Sequence, residues 1–207
     1  MNNFLKENRY VLGTFAVVWA LSVVFQAFVP KSALHLFLNR FHAPFFDLFF
    51  KYLTWLGSGW TVVAIILIML FRHARTALVF LMGNLLNTGI VQGMKNYLFS
   101  GVLRPAGSFK DVQSLYLVPG VDMNIHYSFP SGHSATAFGI FVIMILLSKK
   151  QWQKFLWLFT AILTAYSRVY LSQHFFQDIL AGSFIGTAGM LFVIWLFRAY
   201  LWKEKRG

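Results

Sequence analysis

The chain has no cysteine, so neither disulfides nor thiolate chemistry contributes to its fold or activity. Charge is scarce: Asp, Glu, Lys and Arg make up 12% of the 207 residues, against 58% hydrophobic. A soluble surface cannot do with so little charge, and a soluble core does not need so much apolar surface. Long linkers, low-complexity tracts and internal repeats are also lacking, and the length suits one membrane-embedded domain over residues 1–207. The charge that is present leans to one sign, with 18 Lys and Arg against 6 Asp and Glu, a net charge of +12. Nucleic acid could answer such a balance. In a chain this apolar, topogenic lysine and arginine beside anionic headgroups account for it, and no nucleic-acid partner is expected.

What the sequence does have is a series of charge-poor runs suited to a hydrocarbon core roughly 30 Å thick. They are Tyr10–Val29, Tyr52–Phe71, Thr76–Met94, Ser134–Ser148, Phe155–Leu171 and Ile179–Phe197. Six transmembrane helices in an all-α polytopic protein are therefore expected. Tyr10–Val29 is longer than the apolar part of a signal peptide and has no clear small-x-small cleavage site after it, so it reads as an uncleaved anchor. Ala33–Phe50 mixes Leu34, Leu36, Phe37, Phe41, Phe45, Phe46 and Phe49 with His35, Asn39, Arg40, His42 and Asp47. It reads as an interfacial amphipathic stretch broken by Pro44, serving as a lipid guide or a plain anchor. Gly182, Gly186 and Gly189 in the last run suit close helix packing.

Six spans put both termini on one side. That side holds Lys6, Arg9, Arg72, Arg75, Lys149, Lys150, Lys154, Arg198, Lys203, Lys205 and Arg206. The other holds Lys31, Arg40, Lys51, Lys95, Arg104, Lys110 and Arg168. The positive-inside rule makes the termini cytoplasmic and turns the loops 30–51 and 95–133 outward.

Three polar clusters sit at the outward ends of these runs: KNYLFSGVLRP (Lys95–Pro105), PSGH (Pro130–His133) and SRVYLSQHFFQD (Ser167–Asp178). Ionisable residues at membrane depth are costly, so such clusters are functional by default. Lys95, Arg104 and Arg168 supply three cations without enough carboxylates to neutralise them, which suits a phosphate. Ser131 adds a hydroxyl, and the turn through Gly132 at a helix N-terminus can aim backbone N–H groups at the same anion. His174 and Asp178 are four apart and share a helical face. The carboxylate would hold one ring nitrogen as N–H and leave the other as nucleophile. His133 would protonate the departing alkoxide and then, as base, activate water.

Bland readings exist for each part. Arg104 could be topogenic, Lys95 could snorkel, His133 could be a helix cap, and His174–Asp178 a structural pair. Asp122 is expected to face solvent, and His126 and Tyr127 to be loop residues or to line the substrate entrance. A metal held by His126, His133, His174 and Asp178 would be opposed by the three cations, so no metal and no cofactor is expected. All three clusters fall on one membrane face, which favours a site.

These motifs resemble the type 2 phosphatidic acid phosphatase (PAP2) superfamily of integral membrane lipid phosphatases, whose pattern is Kx6RP, PSGH and SRx5Hx3D. The second and third match residue for residue; the first departs, with eight residues between Lys95 and Arg104. The resemblance covers about residues 75–190. It implies a six-helix bundle and metal-independent hydrolysis of a phosphomonoester or diphosphate through a phosphohistidine. Implied substrates are undecaprenyl diphosphate, phosphatidylglycerophosphate, phosphatidic acid and lipid A phosphates, in a prokaryotic plasma membrane. The expected partners are the phosphorylated lipid and membrane lipids, with no obligate protein partner. Loop Ala106–Phe129 and the stretch Ala33–Phe50 are expected to choose the substrate. Two other readings use the same residues, a lipid phosphotransferase and an anion-binding transporter.

Overall fold

A computed structural model describes residues 2–109 and 115–201, and among these helix is the only regular structure. In chain order the elements are α1 (Asn2–Phe28), α2 (Lys31–Asn39), α3 (Pro44–Leu53), a 3₁₀ turn (Thr54–Gly57), α4 (Gly59–Leu70) and α5 (Ala74–Gly93). A π-helical turn (Met94–Leu98), α6 (Pro105–Ser108), α7 (Gly132–Leu147), α8 (Gln151–Tyr170), α9 (Phe176–Leu196) and α10 (Arg198–Leu201) follow. Lys110, Lys203, Lys205 and Arg206 of the charge asymmetry lie outside the described residues, as do positions 110–114 of the loop Ala106–Phe129.

Each of the six expected runs falls on a helix, but six crossings do not follow. Among the described residues, three helical stretches are long and apolar enough to span: Phe4–Phe28, Ala74–Leu98 and Phe176–Leu196. The pair Pro44–Gly57 and Gly59–Leu70, bent by 57°, makes a fourth if it counts as one span. The run Tyr52–Phe71 is interrupted because Gly57, Ser58 and Gly59 break it, and Ser58 Oγ accepts from Thr61 N at 3.3 Å to cap a new helix. α7 has 16 residues, or about 24 Å of helix, short of a full hydrocarbon core. α8 is too polar to count, with Lys154, Thr164, Ser167 and Arg168 along its inner face.

α7 is the central helix, packed chiefly on α9 and α8 and then on α5. Its sequence GHSATAFGIFVIMILL is apolar all round, as a helix with no solvent face must be. The closest approach is to α9. A Cβ added at Gly182 would lie 2.3 Å from Ser131 O, and one at Gly186 would lie 2.2 Å from Ala135 O. The expected close packing is therefore present, and it fixes where the first turn of α7 sits. Gly182→Ala should push that turn away, lower the thermal midpoint in detergent by the equivalent of about 1–3 kcal/mol, and reduce activity. An unchanged midpoint would mean that the contact is not tight.

α1 stands at the periphery, with only 6% of its apolar window buried, although Phe4 and Val11 pack inward. Trp19 Nε1 donates to Leu180 O at 2.9 Å and ties it to α9. Gln151 Nε2 and Lys154 Nζ both donate to Glu7 O at 3.1 Å, and Arg75 stacks over the Tyr200 ring at 5.7 Å. The start of α1 and α10 thus lie at the same end of the bundle, opposite Lys95 and Arg168.

The amphipathic stretch forms α2 and α3, with Pro44 at the start of the second helix, where its missing N–H costs nothing. Phe37, Phe41, Phe45, Phe46 and Phe49 are exposed, while Leu34, His35, Asp47 and Phe50 face inward. Asp47 accepts hydrogen bonds from the hydroxyls of Tyr116 and Tyr170. Asn39 exchanges bonds with the backbone of Tyr116 (Nδ2 to O, 2.9 Å; N to Oδ1, 2.9 Å), and Lys51 Nζ donates to Pro119 O at 3.0 Å. The interfacial helices therefore hold the loop after residue 115 in place beside the site.

Candidate active site

The first cluster comes together through an irregular helix end. The π-helical turn Met94–Leu98 widens α5 by one residue per turn, and Phe99 N closes it onto Met94 O at 2.9 Å. This turn and the bend after it take up the eight-residue spacing. Lys95 is buried, within electrostatic reach of Arg104, Arg168 and Asp178. Arg104 precedes a proline and is held extended by it, with its N–H donating to Ile125 O at 2.7 Å.

The second cluster is the start of α7. Ser131 is its N-cap, and Ser131 Oγ accepts from Ser134 N at 3.3 Å and Ser134 Oγ at 2.9 Å. The hydroxyl is thus engaged in the cap, fully buried, with only its own proton left to donate. Gly132 follows, in the first turn of α7, where helix N–H groups lack intrahelical partners. His133 is half-buried and feels the charges of Arg168, His174, Arg104 and Lys95. Gly57 of the 3₁₀ turn backs it: a Cβ there would lie 2.7 Å from His133 O and 3.0 Å from His133 Cβ.

The third cluster is a reversal between α8 and α9. Ser172 has φ +53°, a left-handed conformation unusual outside glycine. It turns the chain so that Gln173 N and His174 N both donate to Arg168 O, at 2.9 and 3.0 Å. Ser172 Oγ is itself held by His35 Nε2 at 3.2 Å and Asn39 Nδ2 at 3.3 Å. His35 lies between the rings of Phe109 and Phe175; burial pushes its pKa down to about 4, against an opposing pull from Asp178, so it is neutral. His174 Nδ1 faces Asp178 Oδ2 at 3.5 Å, the long edge of a hydrogen bond. Oδ2 is fixed by Ser128 Oγ at 2.6 Å and Phe175 N at 2.9 Å. The Asp178 carbonyl accepts from Ser131 N at 3.0 Å, joining the second and third clusters directly. Burial pushes the His174 pKa well below the usual histidine range, with the nearby Asp178 carboxylate working against it.

The arginines are anchored by uncharged partners. Arg168 Nη1 donates to Thr54 Oγ1 at 2.7 Å, and its Nε has no partner. Arg104 Nε donates to His126 O at 2.9 Å, and its Nη1 to Gln173 O at 3.2 Å and Gln173 Oε1 at 3.1 Å. The eight residues read from the sequence as site residues thus converge at one end of the bundle. Asp122, His126 and Tyr127 are exposed loop residues, two of them contributing only carbonyls. Thr54, Ser128, Gln173 and His35 belong to the site but escape sequence reasoning. Gln173 alone carried a signal, a polar side chain directly beside His174 in YLSQHFF. Among the described residues no group of three His, Asp or Glu is placed to hold a metal ion.

A bundle of apolar helices with three buried cations around two histidines is the build of an integral membrane phosphatase. The chain belongs to the PAP2 superfamily, whose pattern matches residues 58–202. It is 31% identical over 174 residues to a lipid A 4'-phosphatase of Bacteroides thetaiotaomicron, covering 80% of this chain and 74% of that protein. LpxE of Aquifex aeolicus superposes with a TM-score of 0.67 at 25% identity, over 78% of this chain and 92% of its own. A PAP2-type phosphatidylglycerolphosphate phosphatase of Bacillus subtilis shares the fold, with a TM-score of 0.62 at 24% identity over 97% and 98%. The chain is a PAP2 lipid phosphatase, a phosphoric ester hydrolase integral to the membrane.

Proposed function

We propose that this single-domain phosphatase cleaves a phosphorylated lipid, without metal, through a phosphohistidine on His174. The observation that carries the reading is the buried His174–Asp178 pair set opposite His133 within one ring of cations. Lys95, Arg104, Arg168, Ser131 and the N–H groups beside Gly132 hold the phosphate. Asp178 faces Nδ1, so Nε2 is the attacking nitrogen. The Nε2–P bond forms as the P–O bond to the lipid breaks, and His133 gives its proton to the departing alkoxide. Water then attacks phosphorus, His133 takes its proton, the N–P bond breaks and inorganic phosphate leaves. The arriving phosphate dianion itself favours a proton on His133.

Both termini are cytoplasmic and the site faces outward, because basic residues concentrate at the end away from the site. A site at the end of short helices meets a headgroup while the tails stay in lipid. The lipid A 4'-phosphatase relative supports a lipid A-type phosphate as first candidate, ahead of undecaprenyl diphosphate, phosphatidylglycerophosphate and phosphatidic acid. The test is phosphate release by purified protein in detergent from these four, with and without EDTA. Turnover of at least one in EDTA is expected. Loss in EDTA and rescue by a divalent ion would overturn the mechanism.

A further inference from the structure

We propose that Gln173 is a positioning residue, an uncharged clamp that sets Arg104 and Arg168 for phosphate without neutralising either. The inference rests on the reading of these arginines as the phosphate site. Gln173 Oε1 accepts from Arg104 Nη1 at 3.1 Å and from Arg168 Nη2 at 3.4 Å, while the Gln173 carbonyl takes a further bond from Arg104 Nη1 at 3.2 Å. One residue therefore holds two guanidiniums that reach it from opposite clusters. The orientation of its amide is forced. Guanidinium has donors only, so the oxygen must face the arginines and Nε2 must point away. Nε2 does so, donating to Asp122 O at 3.0 Å and lying 3.3 Å from Met123 Sδ. At 2% exposure the side chain has no water to replace any of these partners.

A carboxylate here would bind both arginines more strongly, since it adds the attraction of a full ion pair to bonds that are already charge-assisted from the arginine side. It would also cancel the charge that must draw the phosphate. An amide gives the geometry and leaves the charge. The same contacts couple the loop at Asp122–Met123 to the arginines, so movement of that loop on binding a headgroup reaches the phosphate site through Gln173.

Stability and phosphate affinity should therefore move in opposite directions in two variants. Both variants give up the Nε2 donor to Asp122 O; Gln173→Glu keeps the shape and the acceptor and adds a charge, while Gln173→Met keeps the bulk and removes the acceptor. Melting temperatures of both and of the unaltered protein, measured in detergent across a titration of inorganic phosphate, read the two quantities separately. The unaltered protein should be stabilised by phosphate. Gln173→Glu should melt no lower than Gln173→Met without phosphate, yet require about tenfold more phosphate or greater for the same stabilisation. The KM for dioctanoyl phosphatidic acid should rise in parallel. Gln173→Glu binding phosphate like the unaltered protein would overturn the clamp, and so would equal loss of affinity and stability in both variants. If phosphate fails to stabilise even the unaltered protein, the arginine site itself is misread and the clamp falls with it.

Discussion

His174→Ala should lower phosphate release by about 10⁴-fold or more, the largest single effect at this site, because in the proposed mechanism it removes the atom that forms the bond to phosphorus. His174 is 2% exposed and held from both sides, with its backbone N–H on Arg168 O and its ring against Asp178. No other imidazole can take its place: His35 is turned toward Ser172, and His133 rises from a different helix. The cations remain in the variant, so phosphate should still stabilise it against heat. That combination separates hydrolysis from a transporter, which would keep both anion binding and flux. A lipid labelled in its phosphate should leave an acid-labile, base-stable label on the unaltered chain and none on the variant. Turnover within tenfold of the unaltered protein would sink the nucleophile assignment. The pH dependence follows from burial. A depressed pKa keeps the imidazole as free base at neutral pH, so the acid limb of kcat/KM assigned to it should lie below the ordinary histidine value of about 6.5.

Much of this site is legible in the sequence because polar residues are costly inside apolar runs. Lys95, Arg104, His133, Arg168, His174 and Asp178 each interrupt or abut such a run, and each is found at one end of the bundle. The supporting residues are not legible, for a geometric reason. Ser128 meets Asp178 across 50 residues, Thr54 meets Arg168 across 114, and His35 meets Ser172 across 137. A serine, threonine or histidine in an amphipathic or loop segment has many ordinary explanations, and only tertiary contact selects one. The π-helical turn at Met94–Leu98, which changes the angular step per residue beside Lys95, is not legible either.

The helices themselves follow from hydropathy, while their number as spans does not. Tyr52–Phe71 reads as one apolar run, yet Ser58 caps a new helix in its middle and the 3₁₀ turn beside it delivers Thr54 to Arg168 and Gly57 to His133. Hydropathy averages over a window and cannot see a cap inside it. The amphipathic stretch is legible as interfacial, but the inward turn of Asp47 is not, because its tyrosine partners come from a distant loop and from α8.

Asp178→Asn should cost about 10²-fold in turnover, less than a change that reverses the imidazole tautomer, which is worth about 10⁴-fold in serine proteases. The difference comes from Phe175 N, which donates to Oδ2 at 2.9 Å and cannot accept. An asparagine here must keep its oxygen at the Oδ2 position, because the reverse orientation would set its NH₂ against that N–H. The oxygen still faces His174 Nδ1, and Nε2 remains free for the proposed attack on phosphorus. What disappears is the negative charge opposite a ring that becomes cationic once phosphorylated, a loss on the scale of one charge-assisted hydrogen bond. The labelled phosphohistidine should therefore form more slowly but still form. Asp178→Ala removes the acceptor as well and leaves Ser128 Oγ and Phe175 N buried without a partner, so it should lose stability along with activity. Single-turnover labelling and thermal unfolding of both variants distinguish these cases. An Asp178→Asn protein as inactive as His174→Ala would show that the amide flips despite Phe175, and that the tautomer, not the charge, is what Asp178 secures.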